Sequence, residues 1–153
     1  RNIMNKRETV QTFMDYVQKG EFELAKSMLA DDFQFTGPVA EPINKADWLE
    51  MSINLKVAFP DLNYHFKMIG TEGDVVRSTT QLSGTHTGTL NLVNMKMGKT
   101  LATNKVVSAK MAKTRLTIKK DKITLWAVEP TDGADLTAIL GQLGVKPPLV
   151  NLN

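Results

Sequence analysis

The sequence of 153 residues contains no cysteine. Disulfide bonds, thiolate metal sites and cysteine nucleophiles are therefore excluded. The absence of cysteine fits a reducing compartment, and the charged first twenty residues do not resemble a signal peptide, so we expect a cytoplasmic location. Uninterrupted apolar runs extend over only a few residues, which is far short of a membrane span.

The motifs of several enzyme classes are also missing. There is no phosphate-cradling glycine loop, no nucleophile elbow and no dinucleotide fingerprint. The two histidines, His65 and His86, are not accompanied by clustered carboxylates, so their spacing does not predict a metal site. We therefore expect a protein that works without a metal or another cofactor.

What the sequence does contain is the composition of a globular protein. Apolar residues make up 42% and charged residues 23%, which are ordinary values for a packed domain. The length is typical of one domain, and no internal repeat or linker interrupts it. We therefore predict a single domain over residues 1–153.

The pattern of apolar residues changes from helical to alternating near residue 63. Before that point the pattern predicts helices over residues 6–19 and 21–30, a short strand over 33–36, and a third helix that begins after the N-cap Asn44 and ends at Pro60. After it, alternation predicts hairpin-linked strands over 64–69, 75–86, 105–119 and 123–129. Residues 90–103 are predicted to form a mobile loop, and residues 136–143 a closing helix.

Helices followed by hairpin-linked strands predict an α+β fold. Long strands twist, and Gly84 within the second of them indicates a bend or a bulge. We therefore expect a conical barrel, in which a strongly curved antiparallel sheet packs against the N-terminal helices and encloses a largely apolar pocket.

Four local strings are distributed along nearly the whole chain: FPDL at 59–62, EGD at 72–74, GTHTG at 84–88 and LGQLG at 140–144. With the order of the elements, they resemble the SnoaL-like polyketide cyclase family. That family belongs to the nuclear-transport-factor-two-like superfamily, together with ketosteroid isomerase and scytalone dehydratase. The resemblance implies a cystatin-like conical barrel, a pocket between helices and sheet, and a homodimer formed through the outer sheet faces. Because the superfamily includes enzymes, binding modules and dimerisation domains, the strings indicate the fold more strongly than the reaction.

The residues that ketosteroid isomerases use are absent. Phe13 stands where the resemblance places their oxyanion-hole tyrosine, and Gly37 stands where it places their general-base aspartate. Phenylalanine cannot donate a hydrogen bond and glycine cannot accept a proton, so this isomerase chemistry is excluded.

The proton-transfer residues of the related cyclases are also changed. Their His-Trp pair in the last strand corresponds here to Leu125 and Trp126, and their later aspartate corresponds to Pro130. The nearest acids are the candidates for proton transfer: Glu129, Asp132 and Asp135. Glu129 is the first candidate, and its alternative is a strand-end carboxylate in solvent or in an ion pair. The two aspartates have the alternative of a turn or helix-cap role.

Donors and pocket-lining residues are the remaining part of the predicted site. His86, inside the GTHTG string, is a candidate acid or base at the pocket rim, or else a strand-end side chain bonded to a turn. Five aromatic residues are candidates for ligand contact, with the alternative of simple core packing: Phe13, Tyr16, Phe35, Trp48 and Trp126. The hydroxyl of Tyr16 could replace the missing hydrogen-bond donor or face solvent.

Basic residues are concentrated between residues 105 and 122, where six lysines and one arginine stand against a single acid, Asp121. Such a cluster could contact nucleic acid or anionic lipid. No aromatic residue is interleaved for base stacking, so we do not expect nucleic-acid binding and interpret the cluster as a solvated outer face or a dimer rim.

Two hypotheses of function follow. In the first, the pocket binds a small hydrophobic or carbonyl-containing metabolite, and acid–base groups give cofactor-independent isomerase, cyclase or hydratase activity. In the second, the domain is a non-catalytic ligand-binding or dimerisation module. The substitutions at the family's catalytic positions keep both hypotheses open.

Overall fold

The computed structural model of this protein describes residues 4–37, 41–134 and 136–145. Within these ranges the chain forms four α-helices, ten β-strands and one short 3₁₀ helix. The helices are α1 (Lys6–Lys19), α2 (Phe22–Ser27), α3 (Lys45–Ala58) and α4 (Leu136–Gln142), and the 3₁₀ helix is Val93–Met95. The strands are β1 (Leu29–Thr36), β2 (Ile43–Asn44), β3 (Lys67–Glu72), β4 (Val75–Thr80), β5 (Ser83–Thr85), β6 (Leu90–Leu92), β7 (Gly98–Thr100), β8 (Val106–Ser108), β9 (Ala112–Lys119) and β10 (Lys122–Val128).

The two long helices begin at capped ends. The Asn5 side chain accepts a hydrogen bond from the Glu8 backbone at 2.8 Å, and the Glu8 carboxylate accepts one from the Asn5 backbone at 3.2 Å. Asn44 caps α3 by accepting from the Asp47 backbone at 2.8 Å. These contacts satisfy amides that the helix itself leaves unpaired. The predicted start of α3 is confirmed, whereas α2 is shorter than predicted because Leu29 already belongs to β1.

Six strands form the main sheet in the order β2-β1-β10-β9-β4-β3. β1 runs parallel to β10, and the other neighbouring pairs are antiparallel. The predicted α+β fold with a curved sheet is confirmed, with the correction that the sheet is mixed. β1 and β10 are far apart in the sequence and are not connected by a hairpin turn. No local sequence signal therefore indicates whether they run parallel or antiparallel.

The two longest predicted strands are each divided in the structure. The segment 75–86 forms β4, which pairs with β9, and β5, which pairs with β8 in a separate two-stranded sheet. The segment 105–119 divides at the same level into β8 and β9. Both neighbours therefore change direction together, which bends the sheet where the sequence indicated a bend near Gly84. The predicted loop at 90–103 is instead largely ordered by the β6–β7 hairpin.

One face of the main sheet is buried against α1 and α3. Val76, Leu116 and Trp126 form a row across β4, β9 and β10 on this face, and each is less than a twentieth exposed. Register shifts in three strand pairs increase the local twist of the sheet. Among the described residues, no helix is long and apolar enough to cross a membrane.

Candidate functional site

A cavity of about 60 Å³ lies between α3 and the buried face of the main sheet. Four lining side chains come from α3, and the others come from β1, β4, β10, the first residue of α4 and segments outside the helices and strands. They are Phe35, Trp48, Met51, Ser52, Leu55, Tyr64, Thr80, Leu82, Trp126, Val128, Ala134 and Leu136. The cavity is thus largely apolar and carries a few hydroxyl groups.

Local periodicity explains how the two walls are built. On α3, Trp48, Met51, Ser52 and Leu55 follow the i, i+3, i+4, i+7 spacing, which places them on one face of a helix. On the sheet, alternation turns Trp126 and Val128 of β10 to the same side. The apolar helix stripe and the inward strand positions therefore meet across the cavity.

Aromatic rings form most of one end of the cavity. The ring centroids of Trp48 and Trp126 are 6.3 Å apart, and Phe35 meets Trp126 edge-on at 5.4 Å. The Trp126 indole donates a hydrogen bond to Thr114 Oγ1 at 2.9 Å, and this hydrogen bond fixes the orientation of the indole ring. Of the five aromatic residues predicted to contact a ligand, these three line the cavity.

The other two predicted aromatic residues lie outside the lining. Phe13 is fully buried behind the indoles, with its ring centroid 5.6 Å from that of Trp48 and 5.9 Å from that of Trp126. Tyr16 is half-buried at the edge of the core. Their contribution to a ligand site would therefore be indirect, through support of the tryptophans.

Three residues of the otherwise apolar lining carry a hydroxyl group, and they are Ser52, Tyr64 and Thr80. These residues are only 2%, 8% and 7% exposed. None of the three hydroxyls forms a hydrogen bond with another residue in the described part of the chain. Burial raises the pKa of the Tyr64 phenol, so this group stays protonated and can donate.

Tyr64 lies outside any helix or strand, but its backbone N–H and its backbone carbonyl oxygen both form hydrogen bonds. Its N–H donates to Gln18 Oε1 at 2.9 Å, and its carbonyl oxygen accepts from the Gln81 N–H at 2.8 Å. Gln18 in turn donates from its amide to the Leu62 carbonyl oxygen at 2.7 Å. The phenol is therefore presented from a fixed backbone, as a binding group requires.

The predicted acids lie elsewhere. Glu129 and Asp132 are exposed, and neither belongs to the lining. Alternation explains the position of Glu129: because Trp126 and Val128 face inward, the next residue faces outward, and its backbone N–H donates to the Lys113 carbonyl oxygen at 2.8 Å. Asp135 lies outside the described residues. A role of these acids in proton transfer stays a prediction.

His86 is fully buried away from the cavity lining, with its ring centroid 5.2 Å from that of Phe59. Its Nδ1 accepts a hydrogen bond from the Thr103 N–H at 3.2 Å and lies 3.0 Å from Thr103 Oγ1. Desolvation lowers the pKa of the imidazole, and the Gly88 backbone opposes part of this effect. The ring thus connects the two ends of the segment that contains the β6–β7 hairpin. A catalytic role of His86 stays a prediction.

The outer face of the sheet carries many of the predicted cations. Arg77 on β4 is directly opposite Arg115 on β9, and Lys113 lies on the same face. Of these three cations, only Arg77 has an acidic partner among the described residues, and that partner is Glu72 at 3.3 Å. A homodimer through this face stays a prediction. Within the described ranges, no group of histidine and acidic side chains is close enough to hold a metal ion.

Sequence reasoning missed the three cavity hydroxyls. Ser52 could have been found, because it lies four residues after Trp48 on the apolar stripe. Tyr64 has the same alternation as the apolar residues Phe66 and Met68, so its ring was predicted inside while its hydroxyl went unnoticed. Nothing in the strand that contains Thr80 distinguishes it from the other threonines and serines.

The sequence profile of the SnoaL-like polyketide cyclase family matches residues 8–143. No curated protein matches the chain. Among solved structures, a proposed SnoaL-like polyketide cyclase from Jannaschia sp. CCS1 has a TM-score of 0.69 at 16% identity and covers 96% of this chain and 99% of its own.

Two Streptomyces proteins have similar folds. IdmH from Streptomyces antibioticus, a proposed polyketide cyclase, has a TM-score of 0.67 at 18% identity, over 93% of this chain and 100% of its own. AclR from Streptomyces galilaeus, a proposed hydroxylase, has a TM-score of 0.69 at 17% identity, over 91% of this chain and 95% of its own. These likenesses show the fold, and the profile match shows the family. The chain belongs to the SnoaL-like polyketide cyclase family.

Proposed function

We propose that the cavity binds a small, mostly apolar carbonyl compound and that the Tyr64 hydroxyl donates a hydrogen bond to its carbonyl oxygen. The observation that carries this proposal is the phenol itself, which is buried, protonated and without a protein partner at an apolar cavity. A bound acceptor would give this phenol a hydrogen bond worth about 0.5–1.5 kcal/mol.

The size of the cavity supports a small ligand. A cavity of about 150 Å³ binds one benzene molecule, so 60 Å³ accommodates about two to three ligand atoms other than hydrogen. Larger cyclic compounds would require the lining side chains to move. Apolar contacts from the aromatic wall and one oriented hydrogen bond are the usual composition of such sites.

The family suggests cyclase-type or isomerase-type chemistry, in which a carbonyl compound passes through an enol or enolate. A donor at the carbonyl oxygen stabilises the charge that develops there, and Tyr64 is placed for that role. Among the described lining residues there is no carboxylate or imidazole to remove a proton. The proposal therefore assigns carbonyl binding and polarisation to the cavity, and it leaves proton transfer by Glu129 or Asp132 as a separate prediction.

The same absence favours a second candidate function, a non-catalytic binding module. In that case the Tyr64 hydrogen bond would contribute to affinity alone. The two functions differ in one measurement: an enolising site catalyses exchange of the α-protons of a bound ketone with deuterated water, whereas a binding module does not.

Binding can be tested with cyclopentanone and cyclopentane, which differ by the carbonyl oxygen and whose rings require small movements of the lining side chains. Both tryptophans of the chain line the cavity, so their indole N–H signals in a nitrogen-15 NMR titration report occupancy. We expect a Kd for cyclopentanone on the order of 1 mM, which is about −4 kcal/mol. This value is well within the ceiling for six non-hydrogen atoms.

The decisive variant is Tyr64→Phe, with Tyr16→Phe as the matched control outside the lining. Tyr64→Phe should weaken cyclopentanone binding about two- to tenfold and leave cyclopentane binding unchanged, because it removes one hydrogen bond of about 0.5–1.5 kcal/mol. It should not lower the free energy of unfolding, because the hydroxyl has no protein partner. Equal losses for both ligands, or the same loss in Tyr16→Phe, would contradict the proposal.

A further inference from the structure

We infer that the cavity selects uncharged ligands, so that its occupant is a neutral hydrogen-bond acceptor such as a ketone, ester or amide rather than a carboxylate or an ammonium compound. This inference rests on the proposed function, because it concerns the same cavity. It adds the chemical class of the ligand, which the family and the fold leave open.

The first observation is the distribution of charge around the cavity. No charged side chain contributes to its described lining. The elements that build the walls do carry charged side chains outside the lining, and Asp47 and Glu50 on α3 and Arg77 on β4 are exposed. A charged ligand would therefore find no counter-ion within the described lining.

The second observation is the chemistry of the three hydroxyls. The hydroxyl groups of Ser52, Tyr64 and Thr80 can each donate one hydrogen bond and can also accept hydrogen bonds. Together they can therefore bind a neutral carbonyl or amide group. They come from separate parts of the chain: α3, the segment before β3 and the end of β4. Hydroxyl groups supply no opposite charge to a carboxylate or an ammonium group, and buried ions without a counter-ion lose their charge instead.

The penalty for burying a charge is also evident at Tyr64, the titratable residue of the described lining. Burial raises the pKa of Tyr64, and no other influence on this phenol is comparable. The environment therefore disfavours a negative charge at the point where the ligand oxygen would lie. A ligand carboxylate placed there would experience the same penalty.

The inference can be tested with four ligands of nearly identical shape and different charge. Methyl isopropyl ketone and isobutyramide are neutral, isobutyrate is an anion, and protonated isobutyramidine is a cation. Binding to the full chain is measured at about pH 7.5 through the indole N–H signals of Trp48 and Trp126. We expect similar Kd values for the two neutral ligands and at least 30-fold weaker binding of both ions.

The anion provides an internal check, because its carboxyl group titrates near the value of a glutamic acid side chain, about 4.3. At about pH 5, the apparent affinity for isobutyrate should rise in proportion to the fraction of neutral isobutyric acid. Methyl isopropyl ketone, measured at the same two pH values, controls for changes in the protein itself.

A reversed specificity provides the second test. Leu82 lines the cavity and is half-buried, so a longer polar side chain can extend from this position without being fully enclosed. Leu82→Lys should strengthen isobutyrate binding at least tenfold and should not strengthen isobutyramidine binding. The neutral variant Leu82→Met is the matched control and should retain the wild-type preference.

The outcomes separate this inference from the proposed function. If the neutral ligands bind and the ions bind equally well, the selection of uncharged ligands is refuted and carbonyl binding stands. If isobutyrate alone binds tightly, the selection is likewise refuted. If neither neutral ligand binds the wild-type chain, the proposed function fails and this inference fails with it.

Discussion

Acidification should destabilise this protein through a single buried histidine. The imidazole of His86 has no exposed surface, and its Nε2 has no acceptor at hydrogen-bonding geometry within the described residues. Because Nδ1 accepts from the Thr103 N–H, the neutral tautomer carries its proton on Nε2. A second proton on Nδ1 would break that hydrogen bond and bury a charge, and desolvation accordingly lowers the pKa of His86.

The sign and size of the effect follow from proton linkage. A lowered folded-state pKa means that the unfolded chain, with a histidine pKa of about 6.5, binds the proton first. Stability from this site is complete above that value and decreases as the pH falls below it. If the folded imidazole stays neutral, the loss is about 1.4 kcal/mol at pH 5.5, which is the upper limit for one proton at that pH.

The assay is urea denaturation at several pH values between about 7.5 and 5. His86→Asn removes the titrating ring and retains an acceptor for the Thr103 N–H, so it lowers stability at every pH and abolishes this component of the pH dependence. The difference in unfolding free energy between wild type and His86→Asn should therefore shrink as the pH decreases. His65→Asn, which retains the buried imidazole, should keep the wild-type pH dependence. A difference between wild type and His86→Asn that does not vary with pH would refute the linkage argument.

Three further predictions concern the backbone, the acids and the first helix. A Cβ at Gly88 would lie 2.1 Å from the Val57 carbonyl oxygen, so Gly88→Ala should cost more than about 3 kcal/mol, whereas Gly141→Ala, with open space around its Cβ, should stabilise α4 by about 0.5 kcal/mol in the same urea assay. The sequence-based role of Glu129 predicts that Glu129→Gln stops protein-catalysed α-proton exchange of cyclopentanone without changing stability, and exchange that continues would contradict this role. Removing the α1 cap with Asn5→Ala should cost about 1 kcal/mol, and Asn5→Ser should restore most of it; equal stabilities of the two variants would exclude a capping contribution.

Local features of the sequence predicted the helices better than the strands. Asn44 begins α3 in the structure as its side-chain chemistry predicts, since capping depends only on residues three or four positions away. The predicted strands 75–86 and 105–119 were too long, because alternation continues through a bend when both neighbours change direction together. The parallel pairing of β1 with β10 has no local signal at all.

The sequence predicted some residues of the candidate site correctly and missed others. Trp48 and Trp126 were expected at the pocket from their places on a helix stripe and an inward strand face, and both line the cavity. Glu129 was named as the nearest acid after Trp126, although the alternation of the sequence already placed it on the face opposite to Trp126 and Val128. In the structure Glu129 is exposed and does not belong to the lining.

By itself the sequence determined the order of the helices and of the longer extended segments, the apolar face of the long helices and the family. These properties depend on hydrophobic periodicity and capping, which act over a few residues. Only the tertiary structure decided that a cavity remains between α3 and the sheet, and that Tyr64 lines it with a hydroxyl that has no hydrogen-bond partner among the described residues. Periodicity predicts which way a side chain points, but whether a polar atom finds a partner depends on how distant segments pack around it.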